Sequence, residues 1–328
     1  MINIGDILLP AGVLGSMGVV FGAGLAYASK KLAVPVDERI EKVRNCLPGA
    51  GCGACGYTGC DSYAAAVVNE GAPVNCCSVG GDGVAKQIAE IMGVEAQATT
   101  KMVATVICRG DADHCKTKYD YDGLMECRAM FLASGGDKSC KFACLGLGSC
   151  AKVCDFGAIT VENRLVKIDP EKCHGCGKCV EVCPKFVIRL EPYHAMSVLR
   201  CRATEKGKDV RDACTNGCIG CGKCERLCKF DAITMENNLP VVDRSKCVGC
   251  LECVKGCPTG AMSGDLANRK HAVINPDLCV GCTLCARQCK FDAISGALKE
   301  KHTIDTSKCV GCGLCAAKCP KKAITLEK

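Results

Sequence analysis

The sequence predicts an α+β chain: one membrane-spanning helix at the N-terminus, then a string of small modules. Three observations predict it. Residues 7–28 carry no charge, the spacing C-x2-C-x2-C-x3-C recurs five times beyond residue 170, and a looser group, C-x2-C-x4-C-x16-C, stands between them. Of 328 residues 35 are cysteine, whereas Trp is absent and aromatics make up 4%. Modules so poor in large side chains need a covalent or metallic staple. An odd cysteine count, clusters of three cysteines within seven residues and many Lys-rich stretches argue against disulfides. Zinc sites draw C-x2-C pairs from two separated knuckles, whereas three close cysteines plus a fourth suit an iron–sulfur cube.

The first element, residues 1–30, contains "ILLPAGVLGSMGVVFGAGLAYA". These 22 uncharged positions are long enough to cross a bilayer as a helix. A signal peptide would want a basic start and a cleavage site, but the chain begins "MINIGD" and no such site follows. Lys30 and Lys31 flank the far end, so the expected topology is a single span of the cell (inner) membrane. The N-terminus then lies outside and everything beyond residue 30 is cytoplasmic. Gly18, Gly22 and Ala26 form a small-residue ridge suited to packing on another membrane helix.

Residues 31–95 form the second element, a four-cysteine domain. Its "GCGACG", residues 51–56, fits the dinucleotide fingerprint G-x-G-x-x-G. The context is wrong: no apolar strand precedes it, and "VDERIEKVRNCLPGA" is charged at helical spacing before breaking at Pro48-Gly49. Cys52, Cys55, Cys60 and Cys77 carry the spacing instead.

After a connecting segment, 96–139, three double modules follow at 140–190, 218–263 and 279–328, with a linker at 191–217 that holds extra cysteines. The regular runs are Cys173/Cys176/Cys179/Cys183, Cys218/Cys221/Cys224/Cys228, Cys247/Cys250/Cys253/Cys257, Cys279/Cys282/Cys285/Cys289 and Cys309/Cys312/Cys315/Cys319. This is the run of bacterial ferredoxins, in which three cysteines clasp one [4Fe–4S] cube and the fourth reaches the other. Gap lengths pair the runs, 18 residues between Cys228 and Cys247 and 19 between Cys289 and Cys309. Pro follows the fourth cysteine of each second half, Cys183, Cys257 and Cys319, but of no first half. The first half of the first module is irregular: Cys144, Cys150 and Cys154 align with Cys218, Cys224 and Cys228, but Leu147 replaces Cys221. Cys140, which aligns with Cys214, is the candidate for the missing ligand; a three-cysteine site with a labile iron is the alternative. The crossover rule then groups Cys140, Cys144, Cys150 with Cys183; Cys173, Cys176, Cys179 with Cys154; Cys218, Cys221, Cys224 with Cys257; Cys247, Cys250, Cys253 with Cys228; Cys279, Cys282, Cys285 with Cys319; and Cys309, Cys312, Cys315 with Cys289. Each module should be a small ferredoxin-like fold of short antiparallel strands and two short helices, with the cubes as its core.

"CLPGAGCGACGYTGCDSYA", followed by "NEGAPVNCCSVGG", resembles the four-cysteine iron–sulfur domain of the B component of the Rnf complex, in the long polyferredoxin form of that family. The resemblance implies iron ligation by Cys52, Cys55, Cys60 and Cys77, hence seven [4Fe–4S] clusters. It also implies an electron-transfer subunit of an ion-translocating ferredoxin:NAD oxidoreductase, coupled to Na+ or H+ export. Its partners would be reduced ferredoxin as donor and other Rnf-type membrane and flavin/NAD subunits. A polyferredoxin carrier of another membrane redox complex, or a free polyferredoxin, is the alternative. No catalytic constellation is expected on this chain, since His114, His174, His194, His271 and His302 are scattered and there is no flavin or NAD motif.

The formal charge of +7 counts every thiol as neutral. Seven oxidised cubes with their thiolates bring the chain to about −7, so no nucleic-acid partner is expected. Residues 279–328 are the most basic module, with nine Lys or Arg against four acids, and suit an acidic ferredoxin. Seven cysteines remain: Cys46, Cys76, Cys108, Cys115, Cys127, Cys201 and Cys214. "VATVIC" ending at Cys108 and "MSVLRC" ending at Cys201 look like related strand ends. These cysteines are either small buried hydrophobes or an eighth metal site drawing on Cys108, Cys115, Cys127 and one of Cys201 and Cys214.

Overall fold

The computed structural model describes residues 4–31, 37–96 and 100–327; within the first helix, the side chains of 4–11, 13 and 30 lie outside the described residues. Helix α1, Ile4–Lys31, holds the uncharged stretch expected to span a membrane. Among the described residues no helix is long and apolar enough to cross a membrane, and residues 7–11 and 13 of the expected span belong to the part whose side chains are not described.

Three helices form the next unit: α2 (Glu38–Cys46), α3 (Cys60–Asn69) and α4 (Gly81–Met92). Asp37 starts α2, its carboxylate accepting the Arg39 backbone N–H at 2.8 Å, and Glu38 and Glu41 complement the dipole of the first turn. Gly93 stops α4 in the left-handed conformation, φ 68°. Val43, Tyr63, Val67 and Ile88 meet at the centre of the three helices.

The remaining chain is three variations on one plan. The first has β1 (Met102–Val106), α5 (Cys127–Leu132), α6 (Ser149–Lys152), β2 (Ile159–Glu162), β3 (Leu165–Ile168), α7 (Lys178–Val182) and β4 (Ile188–Pro192). The second has β5 (Ser197–Leu199), α8 (Gly207–Ala213), α9 (Lys223–Leu227), β6 (Ile233–Glu236), β7 (Leu239–Val242), α10 (Glu252–Lys255) and β8 (Met262–Gly264). The third has β9 (His271–Ile274), α11 (Leu284–Gln288), β10 (Ile294–Ser295), β11 (Thr303–Ile304), α12 (Leu314–Lys318) and β12 (Ile324–Glu327).

Among the described residues the strands form six antiparallel pairs. In each unit one pair is a local hairpin: β2–β3, β6–β7 and β10–β11. The first two turn on two residues with positive φ, Asn163-Arg164 (46° and 56°) and Asn237-Asn238 (48° and 65°). Two-residue turns with both φ positive match the twist of the flanking strands. The other pair is non-local: β4 takes β1, with Met102 opposite Pro192 and Val106 opposite Ile188; β8 takes β5; β12 takes β9.

The units therefore reach further upstream than the cysteine runs. Strand β1 comes from the expected connecting segment, β5 from the expected linker, and β9 from the interval between the second and third modules. An unpaired last strand would expose its ladder, and each upstream segment closes that edge. The glycine of each second-half C-x-G-C is shaped by this packing. At Gly311 (φ 66°) a Cβ would stand 1.9 Å from the Lys270 carbonyl oxygen beside β9, and at Gly175 (φ 67°) 2.5 Å from that of Met102 in β1.

Gly311→Ala should therefore destabilise the third unit by about 2–4 kcal/mol, combining backbone strain with a displaced strand. Gly157→Ala, at φ 58° with nothing within 4 Å of its Cβ, should show only the strain, about 1 kcal/mol. Thermal unfolding of anaerobically prepared protein compares them; equal losses would show that β9 is not pressed against Gly311.

Candidate iron–sulfur sites

Cysteine quartets read from the sequence line four of the cavities in the structure. One of about 360 Å³ is lined by Cys279, Cys282, Cys285 and Cys319. One of about 330 Å³ has Cys247, Cys250, Cys253 and Cys228, and one of about 340 Å³ has Cys218, Cys221, Cys224 and Cys257. The fourth, about 330 Å³, has Cys52, Cys55, Cys60 and Cys77. In the three ferredoxin-type cavities the fourth cysteine comes from the opposite run, as the crossover reading expects. In the remaining regular runs Cys312 neighbours Cys289 and Cys309, and Cys179 neighbours Cys173, Cys176 and Cys154.

Each cysteine is positioned by local backbone. A run's central cysteines stand on a glycine-turned loop entering a one-turn helix, and its last cysteine ends that helix, as Cys228 ends α9 and Cys319 ends α12. The N–H groups that follow then point back at the sulfur: Ala232 to Cys228 at 3.4 Å, Ala293 to Cys289 at 3.4 Å, and Ala323 to Cys319 at 3.3 Å. The upstream strands add donors of their own. Ala104 of β1 donates to Cys173 Sγ at 3.3 Å, and Ala272 of β9 donates to Cys309 Sγ at 3.4 Å. These strands thus belong to the sulfur environment as well as to the sheet.

Without a cation these thiols hold their protons tightly. Burial pushes Cys179 and Cys150 up to about 12, and Cys144, Cys218, Cys253 and Cys315 up to about 11. Cys279 goes the other way, pulled down by the backbone N–H groups of His302 and Gly281. Neighbouring thiolates would repel one another, so a quartet ionises only around positive charge.

Among the described residues no three His, Cys, Asp or Glu side chains converge closely enough to grip a single metal ion. The sulfurs stand around cavities instead. His302, 3% exposed, lines the Cys279 cavity with Nδ1 on the Glu300 carbonyl at 3.0 Å, and its Nε2 has no partner among the described residues. Quartets of sulfur, backbone donors aimed at them and a polar ring atom without a partner fit a polynuclear iron–sulfur group.

In the first half of the first module, Cys140 lines a cavity with Cys108, Cys201 and Cys214, and its thiol neighbours are Cys115, Cys108 and Cys201. Beside Cys150 lie Cys144, Cys127 and Cys183. Leu147 is the true counterpart of Cys221, because the loop keeps its shape. Gly146 packs on the Arg164 carbonyl as Gly220 packs on that of Asn238. Cys127 arrives from outside the run, as the first residue of α5, its N–H held by Ser149 Oγ at 2.9 Å. No spacing motif connects it to Cys150; the sequence signal was only that the run lacked one cysteine while Cys127 stood spare.

The fold and its cysteine-lined cavities define an iron–sulfur protein of ferredoxin type. Comparison with known families agrees: 4Fe-4S dicluster domain models match residues 272–326, 217–261 and 246–293, a 4Fe-4S binding domain model matches 166–189, and an Fe-S cluster model matches 47–79. The chain is 50% identical over 261 residues to the B component of the Na(+)-translocating ferredoxin:NAD(+) oxidoreductase complex of Acetobacterium woodii, covering 79% of this chain and 78% of that protein. It is 43% identical to the B component of the proton-translocating ferredoxin:NAD(+) oxidoreductase complex of Clostridium ljungdahlii, over 76% of this chain and 89% of the relative. It is also 40% identical to the B component of the ion-translocating oxidoreductase complex of Methanosarcina acetivorans, over 76% and 95%. The chain belongs to this family, the B components of the Rnf-type ion-translocating oxidoreductase complexes.

The turn carrying Cys77 hangs on Tyr63, 1% exposed, whose hydroxyl donates to the Pro73 carbonyl at 2.7 Å and accepts the Cys76 N–H at 3.2 Å. Tyr63→Phe leaves both groups without that partner, at a cost of about 1–3 kcal/mol. Mild chelation of the anaerobic protein should then strip about four irons selectively from this unit. Loss spread evenly over the chain would contradict the role given to the hydroxyl.

Proposed function

We propose that this chain is the electron wire of an Rnf-type membrane complex. It accepts electrons from reduced ferredoxin and passes them along [4Fe–4S] sites toward partner subunits that reduce NAD, coupled to Na+ or H+ export. The observation that carries the reading is the unbroken succession of cysteine quartets, together with 50% identity to such a B component over 79% of the chain. Bound clusters of this kind supply one-electron chemistry, at potentials around −400 mV in ferredoxins. Seven quartets serve: the Cys52 group, the five built on the regular runs, and Cys144, Cys150 and Cys183 completed by Cys127 in place of Cys140.

What the chain itself contributes is burial, N–H donors and contact between successive quartets. Cys176 neighbours Cys52 of the N-terminal unit. Within the second module Cys253 neighbours Cys224. The second and third modules meet through the residues after Cys228 and Cys289. Lys229 donates to the Lys290 carbonyl at 2.5 Å and Lys290 to that of Lys229 at 2.6 Å. Each lysine also covers the other's phenylalanine, Lys229 over Phe291 and Lys290 over Phe230. This reciprocal clasp holds the Cys247 and Cys309 quartets side by side.

Ferredoxin docks on the third module. Arg287, Lys318, Lys321 and Lys322 are exposed and form no ion pair among the described residues, unlike Lys301 and Lys308 of the same module, while Lys321 lines the Cys279 cavity. Reversing Lys318, Lys321 and Lys322 to Glu should slow ferredoxin-dependent reduction at low salt by about tenfold or more and flatten its salt dependence. Unchanged rates across a salt series would place docking elsewhere.

Helix α1 is the single membrane anchor, its N-terminus outside and the quartets on the cytoplasmic side. A cysteine replacing Ile2 should react with an impermeant thiol reagent added to intact cells, and one replacing Lys31 should not. The opposite labelling would reverse the topology.

A further inference from the structure

Five cysteines outside the seven quartets converge where the first two modules meet: Cys108, Cys115, Cys140, Cys201 and Cys214. Four of them, Cys108, Cys140, Cys201 and Cys214, line a cavity of about 340 Å³, the same size as those lined by the regular quartets. We propose that these four hold an eighth [4Fe–4S] cluster, bridging the first and second ferredoxin modules. The inference extends the seven-quartet reading, from which it borrows the clusters on either side.

The site has the symmetry of a built junction. Each module supplies one cysteine just beyond its upstream strand, Cys108 after β1 and Cys201 after β5. Each also supplies one cysteine four residues before its first run, Cys140 before Cys144 and Cys214 before Cys218. The backbone around them repeats. Ile107 N–H donates to the Val187 carbonyl at 2.7 Å, and Arg200 N–H to that of Ala261 at 2.8 Å. The arginine after each strand cysteine reaches across to the other module: Arg109 donates to the Gly260 carbonyl, and Arg202 to the Lys185 carbonyl.

The sulfurs are dressed as the ligand sulfurs are. Cys108 accepts the N–H of Gly110 at 3.4 Å, Cys140 that of Phe142 and Cys214 that of Asn216. The same bond from the residue two positions on recurs at Cys218, Cys250 and Cys312 of the regular quartets. A cysteine that merely fills core needs no such donor. Cys115, 1% exposed, does not line the cavity; it shares a hydrogen bond with the Cys214 thiol and sits behind it as a positioning residue.

The charges call for an anion. Arg109, Arg200 and Arg202 line the cavity with the four sulfurs, Lys138 lies near Cys108, and each of these cations donates to backbone carbonyls. Lys138 is only 2% exposed, with Nζ on the carbonyls of Gly110 at 2.6 Å and Arg164 at 2.8 Å. Buried cations need a compensating charge. Loading replaces four S–H protons, released to solvent, by four Fe–S bonds, and leaves an oxidised cube and its thiolates at −2 in all. One electron then enters from the reduced neighbour on one side and leaves to the neighbour on the other. Those neighbours are in contact: Cys108 Sγ accepts the Cys144 N–H at 3.4 Å, and Cys201 lies beside Cys218.

The test counts iron, acid-labile sulfide and zinc in the anaerobically reconstituted full chain, beside Cys108→Ala/Cys201→Ala and Cys115→Ala. The wild type should hold about 32 irons, the double variant about 28 and Cys115→Ala about 32, at four per cube. A wild type at about 28 irons, or at 28 with one zinc, overturns the eighth cluster and leaves the seven-quartet reading standing. A wild type well below 28 sinks that reading instead. If the double variant fails to fold, the wild-type count alone decides, backed by the integrated spin of the fully reduced protein, eight clusters' worth against seven.

Discussion

Inward-facing cysteine sulfur, arranged in fours around a cavity, is the constraint from which the rest of this structure follows. The chain offers little else to build on. The central buried cluster of the third module is Ala272, Cys285, Cys315 and Ile324, and that of the second is Leu199, Ile233, Cys253, Ala261 and Met262. Clusters this small, ringed mostly by alanine, cysteine and partly buried aliphatics, cannot hold modules of this length against chain entropy. Iron–thiolate bonding supplies the missing free energy, and strands, turns and glycines arrange themselves to point sulfur inward and N–H groups at it.

Placing quartets close together also accounts for how modules join. The N-terminal unit meets the first module at Cys52 and Cys176, the first meets the second around Cys108 and Cys201, and the second meets the third through the Lys229–Lys290 clasp. Each of these three contacts lies on cysteines or on residues adjoining them. Electron tunnelling falls steeply with distance, so a chain whose joints are its ligand loops serves electron flow and assembly with the same contacts.

The regular spacing made the ferredoxin-type quartets readable wherever the run is intact, because three ligands of a cube come from one local loop. The fourth was readable from pairing of the runs. What spacing cannot show is a ligand drawn from elsewhere in the fold. Cys127, the ligand proposed for the irregular run, lies upstream of it with no spacing motif, whereas Cys140 was the candidate because it aligns with Cys214. The alignment of Cys140 with Cys214 held the clue, since Cys214 stands outside the regular quartet of its own run. Strands β1 and β5 were legible only as related strand ends before Cys108 and Cys201, and β9 not at all: three to five residues carry no useful period, and their roles, closing an edge and donating to Cys173 or Cys309, are set by partners far along the chain. The proposed membrane anchor rests on uncharged length, and its topology on Lys30 and Lys31.

Removing the iron tests the central claim most directly. If coordination is the core, anaerobic chelation should abolish the helix and strand signal of residues 32–328 in circular dichroism as the visible absorbance is lost, and iron with sulfide should restore both. Retention of the folded signal after the iron has gone would mean that the small apolar clusters hold the modules by themselves, and would contradict the account.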